Sequence, residues 1–276
     1  MNVMWADNCA ETELERLLEG IYERYHYDFR HYSRTYLRRR VERAQAAAGS
    51  PSLTHLLDRV LGSPGAFTEL LHFLTIQVGD LFRDPTYYAV LRERVLPHLA
   101  TYPSLRIWVA GCGTGEEAYS LTILLEEEGL LDRSLIYATD IDAESLEIAQ
   151  AGIYGLERVR SFTDNYYRSG GRASLSRYYT EAYGRVAFSP RMRQHVLFSD
   201  HSLATDAAFA EVQLVSCRNV LIYFDRDLQD RSLGLFHEAL CPRGFLGLGL
   251  KETLMFSSHA SAFEAFAAGE RVYRVR

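Results

Sequence analysis

Leu105-Arg-Ile-Trp-Val-Ala-Gly111-Cys-Gly113-Thr-Gly115-Glu116-Glu117 reads as a buried strand that delivers three glycines to the start of a helix. Glycine carries no Cβ, so the backbone can turn sharply at Gly111, Gly113 and Gly115. A ligand can then lie against it, facing the N–H groups that open the helix. A dinucleotide loop needs G-x-G-x-x-G/A and a helix N-terminus free to receive a pyrophosphate. Here the spacing is G-x-G-x-G and the helix opens on two carboxylates. Glu116 and Glu117 would repel a phosphate but suit a ligand bearing an ammonium and a sulfonium, which favours S-adenosylmethionine.

Outward from this loop, strand and helix patterns alternate. A helix is predicted from Pro85 to Leu99, a strand at Leu105–Ala110, a helix from Glu116 to about 128, a strand at Leu135–Thr139 and a helix at Ala143–Ala151. Residues 152–183 are rich in Tyr, Arg, Ser and Gly with weak periodicity, and Gly184–Phe198 reads as short strands of an inserted hairpin. Regularity returns with a strand at Val212–Ser216, a helix at Leu228–Leu240, a strand at Phe245–Leu250 and a last strand at Val272–Val275. This alternation predicts a doubly wound, mostly parallel sheet. Residues 11 to 75 carry helical patterns only, broken at Gly49-Ser50-Pro51 and Gly62-Ser63-Pro64-Gly65, where Ser-Pro pairs stop one helix and start the next. The expected division is 1–75, an all-helical module, and 76–276, the sheet domain with a β insertion near 184–198.

Bulk composition narrows the function class. With 276 residues, 47% hydrophobic and 24% charged, the chain has ample material for such a core. A net charge of -6 gives no general pull toward nucleic acid or membrane, so any basic surface is local. No apolar run approaches the roughly 20 residues that span a bilayer, and the acidic N-terminus has no signal-peptide core, so a cytoplasmic protein without membrane insertion is expected. Cys9, Cys112, Cys217 and Cys241 show neither C-x-x-C nor Cys/His metal spacing.

Three further places carry candidate chemistry. An acid at the end of the strand after a glycine loop can accept both ribose hydroxyls, and Asp140 stands there, with Asp142 as the competing helix cap. The next strand runs into Ser216-Cys-Arg-Asn-Val-Leu-Ile-Tyr-Phe224. Arg218 and Asn219 are costly to bury without partners and are expected to face a cleft. Asn219 could bond a ligand amide or carboxylate and Tyr223 could direct its hydroxyl at a reacting group, or the two could merely satisfy a turn and pack. Arg83, before Asp84-Pro85, lies at the junction of the two modules, where clefts form or where a plain surface ion pair would sit.

Taken together, Leu81-Phe-Arg83-Asp-Pro85, Gly111–Glu117 with Ala118-Tyr-Ser120, Ala138-Thr-Asp140-Ile-Asp142 and Cys217-Arg-Asn-Val-Leu-Ile-Tyr-Phe224 resemble the CheR family of chemotaxis methyltransferases. Those enzymes move a methyl group from S-adenosylmethionine to glutamate side chains of receptor proteins, leaving S-adenosylhomocysteine. The resemblance implies a class I, Rossmann-like methyltransferase fold with an antiparallel last strand and a small helical N-terminal domain. It implies cofactor contacts at Gln77, Gly79, Arg83, Gly111, Gly113, Glu117, Asp140, Ser202, Leu203, Asn219 and Val220, with Arg83 and Tyr223 bordering methyl transfer. This sequence departs from the family at Gln77, Gly79 and Ser202, where Asn, Thr and Asn are usual. Gly247-Leu-Gly-Leu-Lys251-Glu252 replaces a more usual Gly-His-Ser-Glu and marks a divergent branch.

The partner implied is acidic. Between residues 30 and 43 six arginines stand against one acid, with Arg30, Arg34 and Arg38 at i, i+4 spacing. They form either a docking surface for the glutamate-rich helices of a chemoreceptor or a helix face paired with the acidic segment 11–23 of the same module; nucleic acid is disfavoured. A non-catalytic module that binds the cofactor and signals by protein contact is the competing function.

Overall fold

The computed structural model describes residues 2–75 and 79–276, with residues 2–10 described by their backbone alone. Two compact units emerge. One consists of the N-terminal helices together with Tyr223–Arg231; the other holds the sheet.

In the helical unit, α1 (Asn2–Tyr25), α2 (Arg34–Ala47), α3 (Leu53–Gly62) and α4 (Pro64–Leu74) pack around Leu17, Ile21, Leu37, Val41, Val60 and Leu74. Polar caps set the boundaries. The Ser52 side chain accepts from His55 N, and Ser63 accepts from Ala66 N with Pro64 following it, where a missing N–H costs nothing. The first break is therefore capped by Ser52, one residue past the Ser50-Pro51 pair. The expected cut at 75/76 leaves out Tyr223–Arg231, which lies between the sheet strands Val212–Cys217 and Leu240–Leu248 in the chain and groups with these helices.

The sheet unit begins with α5 (Pro85–Val90), which continues through a wider π turn at Leu91–Val95 into α6 (Leu96–Leu99). Pro97 offers no N–H to the carbonyl four residues back, and the helix widens just ahead of it. Then come β1 (Leu105–Ala110), α7 (Glu116–Glu127), β2 (Ser134–Asp140), α8 (Ala143–Ala151), β3 (Ile153–Gly155), α9 (Val159–Arg168), β4 (Tyr179–Ala182), β5 (Arg185–Phe188), α10 (Pro190–Arg193), β6 (Val196–Asp200), β7 (Val212–Cys217), α11 (Arg226–Ala239), β8 (Leu240–Leu248), β9 (Phe263–Ala267) and β10 (Val272–Val275). The seven-stranded sheet runs β6-β2-β1-β7-β8-β10-β9, parallel from β6 to β8 and antiparallel through β10 and β9. That is the class I methyltransferase arrangement, with the carboxyl ends of β6, β2, β1, β7 and β8 along one edge, where such sheets bind ligands.

Two expectations are corrected. The inserted hairpin is β4–β5, spanning Tyr179–Phe188 and completed by β3, and the stretch at 196–198 belongs to β6 of the main sheet. Residues 152–183 also contain a helix, α9, whose buried positions Phe162 and Tyr166 are four apart.

Candidate functional site

The glycine loop is fixed by β2. Gly111 N and Cys112 N both donate to the Thr139 carbonyl, at 2.8 and 2.9 Å, and Gly113 N donates to Asp140 Oδ2 at 2.8 Å. All three glycines have positive φ, but their surroundings differ. A Cβ on Gly111 would meet Val220 Cγ2 at 2.4 Å and one on Gly115 would meet Ala149 at 2.8 Å, whereas one on Gly113 would meet nothing within 4 Å. The open side of the loop is thus over Gly113.

Asp140 is half-buried beside that opening. Its Oδ1 accepts from Asp142 N at 3.1 Å, while Asp142 caps α8 through Glu144 N and holds Ser145 Oγ. Backbone N–H groups of Gly113, Asp142 and Ile141 thus all draw on this carboxylate, whose two oxygens together can accept about four hydrogen bonds. Burial lifts the Asp140 carboxyl above the usual carboxylate range against the pull of Gly113 N and Asp142 N.

The two glutamates of α7 divide their tasks. Glu116 is buried, accepts from Thr114 Oγ1 and pairs with Arg158 at 2.6 Å, so its charge is neutralised within the fold. The other nitrogen of Arg158 donates to the Gly79 carbonyl at 2.6 Å, and a Cβ on Gly79 would strike the Glu116 carboxylate at 2.3 Å. Any larger residue there would require the Glu116 carboxylate to shift. Glu117 turns to the sheet edge, where Ser216 Oγ donates to it at 2.6 Å and Arg218 Nη1 at 3.3 Å.

Contrary to expectation, Arg218 does not face a cleft. Its side chain is 1% exposed and lies over the Tyr87 ring at 4.1 Å. Its Nη2 donates to Asp84 Oδ2 at 2.9 Å and to the Arg83 carbonyl at 3.1 Å. Phe82 and Asp84 on either side of Arg83 both hold positive φ, an unusual backbone for such residues, so the Arg218 contacts and the Phe82 N to Ser120 Oγ bond at 2.8 Å pin a strained turn. Arg83 and Glu117 are close enough to interact electrostatically. Burial raises the Glu117 pKa, opposed by Arg218, Ser216 and Arg83.

After β7, Asn219 sits at φ 63. Glu252, which is 4% exposed, holds this turn by accepting from Asn219 N at 3.1 Å, Val220 N at 2.8 Å and Gly249 N at 2.5 Å. After β6, Ser202 N donates to Asp206 Oδ2 at 2.9 Å in a tight turn with Leu203 buried, and His201 N donates to the Asp140 carbonyl at 3.2 Å. Gly79, Arg83, Gly111, Gly113, Glu117, Asp140, Ser202, Leu203, Asn219 and Val220 all belong to the sheet unit. Gln77 lies outside the described residues.

Tyr223 belongs to the helical unit, its ring 4.7 Å from Tyr36. So do Arg30, Arg34 and Arg38, and each has an acid beside it: Arg30 pairs with Asp28 at 2.8 Å and Glu19 at 3.3 Å, Arg34 with Glu11 at 3.6 Å and Glu15 at 3.8 Å, and Arg38 with Glu11 at 2.8 Å. Acids of α1, together with Asp28, thus stand beside three of the six arginines read from the sequence. Sequence reasoning missed Glu252, Tyr36 and the bridging role of Arg218. An acid two residues after the run Phe245–Leu250 was the available signal for Glu252; the partners of Arg218 are 101 to 135 residues away and left none.

A bound S-adenosylmethionine fits this donor set. The opening over Gly113 leaves room for a ligand against the backbone, Asp140 offers a carboxylate to a diol, and Glu117 and Arg83 offer opposite charges to an amino-acid end. Among the described residues no helix is long and apolar enough to cross a membrane.

Comparison with known proteins agrees with this chemistry. Residues 77–271 match the CheR methyltransferase, SAM binding domain, and residues 12–75 match the CheR methyltransferase, all-alpha domain. The chain is 49% identical over 271 residues to "Putative methyltransferase Cher3" of Pseudomonas putida, covering 98% of this chain and 99% of that one. It is 33% identical over 227 residues to chemotaxis protein methyltransferase 1 of Pseudomonas aeruginosa, covering 78% and 80%. The chain belongs to the CheR methyltransferase family, and its cofactor is S-adenosylmethionine.

Proposed function

We propose that this chain methylates glutamate side chains of a chemoreceptor or related sensor protein, in the cytoplasm, through a site on the sheet unit that includes Arg83, Glu117, Asp140 and Asn219, with the role of Tyr223 taken from the family resemblance. The observation that carries this reading is Glu117, held by Ser216 Oγ and Arg218 at the carboxyl edge of the sheet and within electrostatic reach of Arg83, an anion and a cation suited to the ammonium and carboxylate of the cofactor's methionine part. Asp140 would hold the ribose, and Asn219 and Val220 would border the adenosine. When bound, the cofactor supplies an electrophilic methyl group on a sulfonium.

The protein's task is then placement. A glutamate acceptor is ionised at neutral pH, its ordinary pKa being about 4.3, so no strong general base is required. Charges cancel as a carboxylate attacks a sulfonium-bound carbon, so water excluded from the site no longer favours the separated ions. Arg83 orients a carboxylate and Tyr223 holds the second acceptor oxygen; alignment supplies the rest.

Calorimetry with S-adenosylmethionine and S-adenosylhomocysteine, followed by transfer of radiolabelled methyl to receptor cytoplasmic fragments, tests the reading. The expected outcome is binding of both ligands and a label released by mild alkali, as from a carboxyl ester. Binding without transfer to any receptor fragment would favour the non-catalytic module. Alkali-stable label would place the methyl elsewhere than on a carboxylate.

A further inference from the structure

Tyr223 lies on a segment that the helical unit holds at every residue from 223 to 225. Ser33 N donates to the Tyr223 carbonyl at 2.8 Å and Asp225 N donates to the His31 carbonyl at 2.9 Å. Between these two bonds Tyr32 and Phe224 form an antiparallel bridge, their rings 4.8 Å apart and edge to face. Backbone pairing therefore fixes where the Tyr223 main chain is. It does not fix where the ring points.

That second constraint comes from Tyr36, in the first turn of α2. The two rings are 4.7 Å apart between centroids and inclined at 35°, within the range at which aromatic pairs attract. Tyr36 is itself anchored, because its hydroxyl donates to the Leu74 carbonyl at the end of α4 at 2.6 Å. Burial pushes its pKa up to about 12, so this donor keeps its proton at working pH. Arg40, four residues along α2 and hence on the same face, places its guanidinium carbon 5.5 Å from the centre of the Tyr36 ring. The Tyr223 ring thus packs on a tyrosine that is locked at its far end and backed by a cation.

We propose that Tyr36 is a positioning residue for Tyr223, fixing the direction of its ring. The inference rests on the role given to Tyr223 above. A tyrosine side chain has two free torsions, and a hydroxyl displaced by about 1 Å from an acceptor can cost on the order of a hundredfold in rate. A ring face at van der Waals distance removes that freedom. The residues proposed to hold the cofactor belong to the sheet unit, and Tyr36 is not one of them.

The experiment is a double-mutant cycle on the full-length protein, with the receptor fragment that accepts label as substrate. Tyr36→Ala should lower kcat by roughly ten- to a hundredfold, while S-adenosylhomocysteine binding by calorimetry stays within about twofold. Tyr36→Phe keeps the ring and should retain most of the rate. In the Tyr223→Phe background, Tyr36→Ala should cost little more, since it acts through a hydroxyl already removed. If Tyr36→Ala melts near the assay temperature, Tyr36→Leu fills the space without a flat face and replaces it in the cycle. Multiplying rate losses in the double variant, or a fall in cofactor affinity equal to the fall in kcat, would overturn the proposal while leaving Tyr223 in place. Wild-type turnover by Tyr223→Phe would instead remove the role of Tyr223, and this inference with it.

Discussion

Arg218→Met tests the electrostatic frame of the site. The native guanidinium is 1% exposed, donates to Glu117, Asp84 and the Arg83 carbonyl, and lies over Tyr87. Methionine fills much of the space but leaves Glu117 and Asp84 without their shared cation. Deleting one partner of a buried pair costs about 3–5 kcal/mol. Two features place the expected loss at the lower end, about 3 kcal/mol: Asp84 is 29% exposed and partly screened, and Glu117 keeps the hydrogen bond from Ser216 Oγ. For a unit of this size that is a fall in Tm of roughly 6–12 °C. Arg218 also opposes the burial that raises the Glu117 pKa, so removing it raises that pKa further. A carboxyl whose folded pKa exceeds its unfolded value loses stability as pH rises through the interval between them and regains it as pH falls. The deficit of Arg218→Met, compared at pH 7 and at a pH near the ordinary glutamate value of about 4.3, should therefore be smaller at the lower one. Urea unfolding of wild type, Arg218→Met and Arg218→Lys at the two pH values measures this, with lysine intermediate because one ammonium cannot bridge both carboxylates in the same plane. A loss below about 1 kcal/mol at pH 7, or a deficit that does not change with pH, would refute the argument.

Three other outcomes are expected. Gly113→Ala should cost about 1–2 kcal/mol for its left-handed backbone and lose cofactor affinity through a Cβ on the open side of the loop, whereas Gly111→Ala should be the less stable variant because its Cβ also strikes Val220; melting curves beside calorimetry separate the two. Burial raises the Asp140 pKa and the ribose contact needs its carboxylate, so from the ordinary aspartate value of about 3.9 upward, S-adenosylhomocysteine affinity should rise with pH while apo stability falls. Asp140→Asn should flatten that slope in titrations across the acid range. Reversing Arg34 and Arg38 to Glu sets like charges beside Glu11 and should cost about 1 kcal/mol or less, the pairs being surface ones, while weakening capture of an acidic receptor fragment at low salt; unchanged capture would assign these arginines to α1 alone.

How far the site was legible follows from the range of each interaction. The strand, the glycine turn and the start of α7 lie in thirteen consecutive residues, and local pattern was enough. Asp140 was legible because a parallel neighbour strand must end beside the loop, and Asp142 showed itself as a cap. The bridges were not legible. Glu252 meets Asn219 across 33 residues and Arg218 meets Asp84 across 134, and no local rule links such positions. In the same way Tyr223–Arg231 reads in sequence as the end of the motif after β7 and the start of a helix, and the pairing of its first residues with the helical unit is made by Ser33, His31 and Tyr36. The α9 helix escaped notice because its buried face is carried by two aromatics in a polar run.

The charge argument that began from Glu116 and Glu117 changes most under the geometry. Adjacent residues on a helix point about 100° apart, and here that separation sends one carboxylate to Arg158 and the other to Arg218. Only Glu117 is left to face a ligand, and it does so inside a group that also contains Asp84, Arg83 and Arg218. Two anions and two cations sum to zero. The end of the site around Glu117 is therefore not one that repels phosphate by bulk charge, the further anion Asp140 standing beside the Gly113 opening. That end is neutral with its poles separated, and such an arrangement favours a ligand end that is itself neutral and dipolar, with an ammonium for Glu117 and a carboxylate for Arg83. A phosphate could satisfy one pole and would leave the other desolvated and unpaired, at a cost of about 1–3 kcal/mol or more. Selection for an amino-acid cofactor thus rests on the placement of Arg218 as much as on the glutamate pair that first drew attention to the loop.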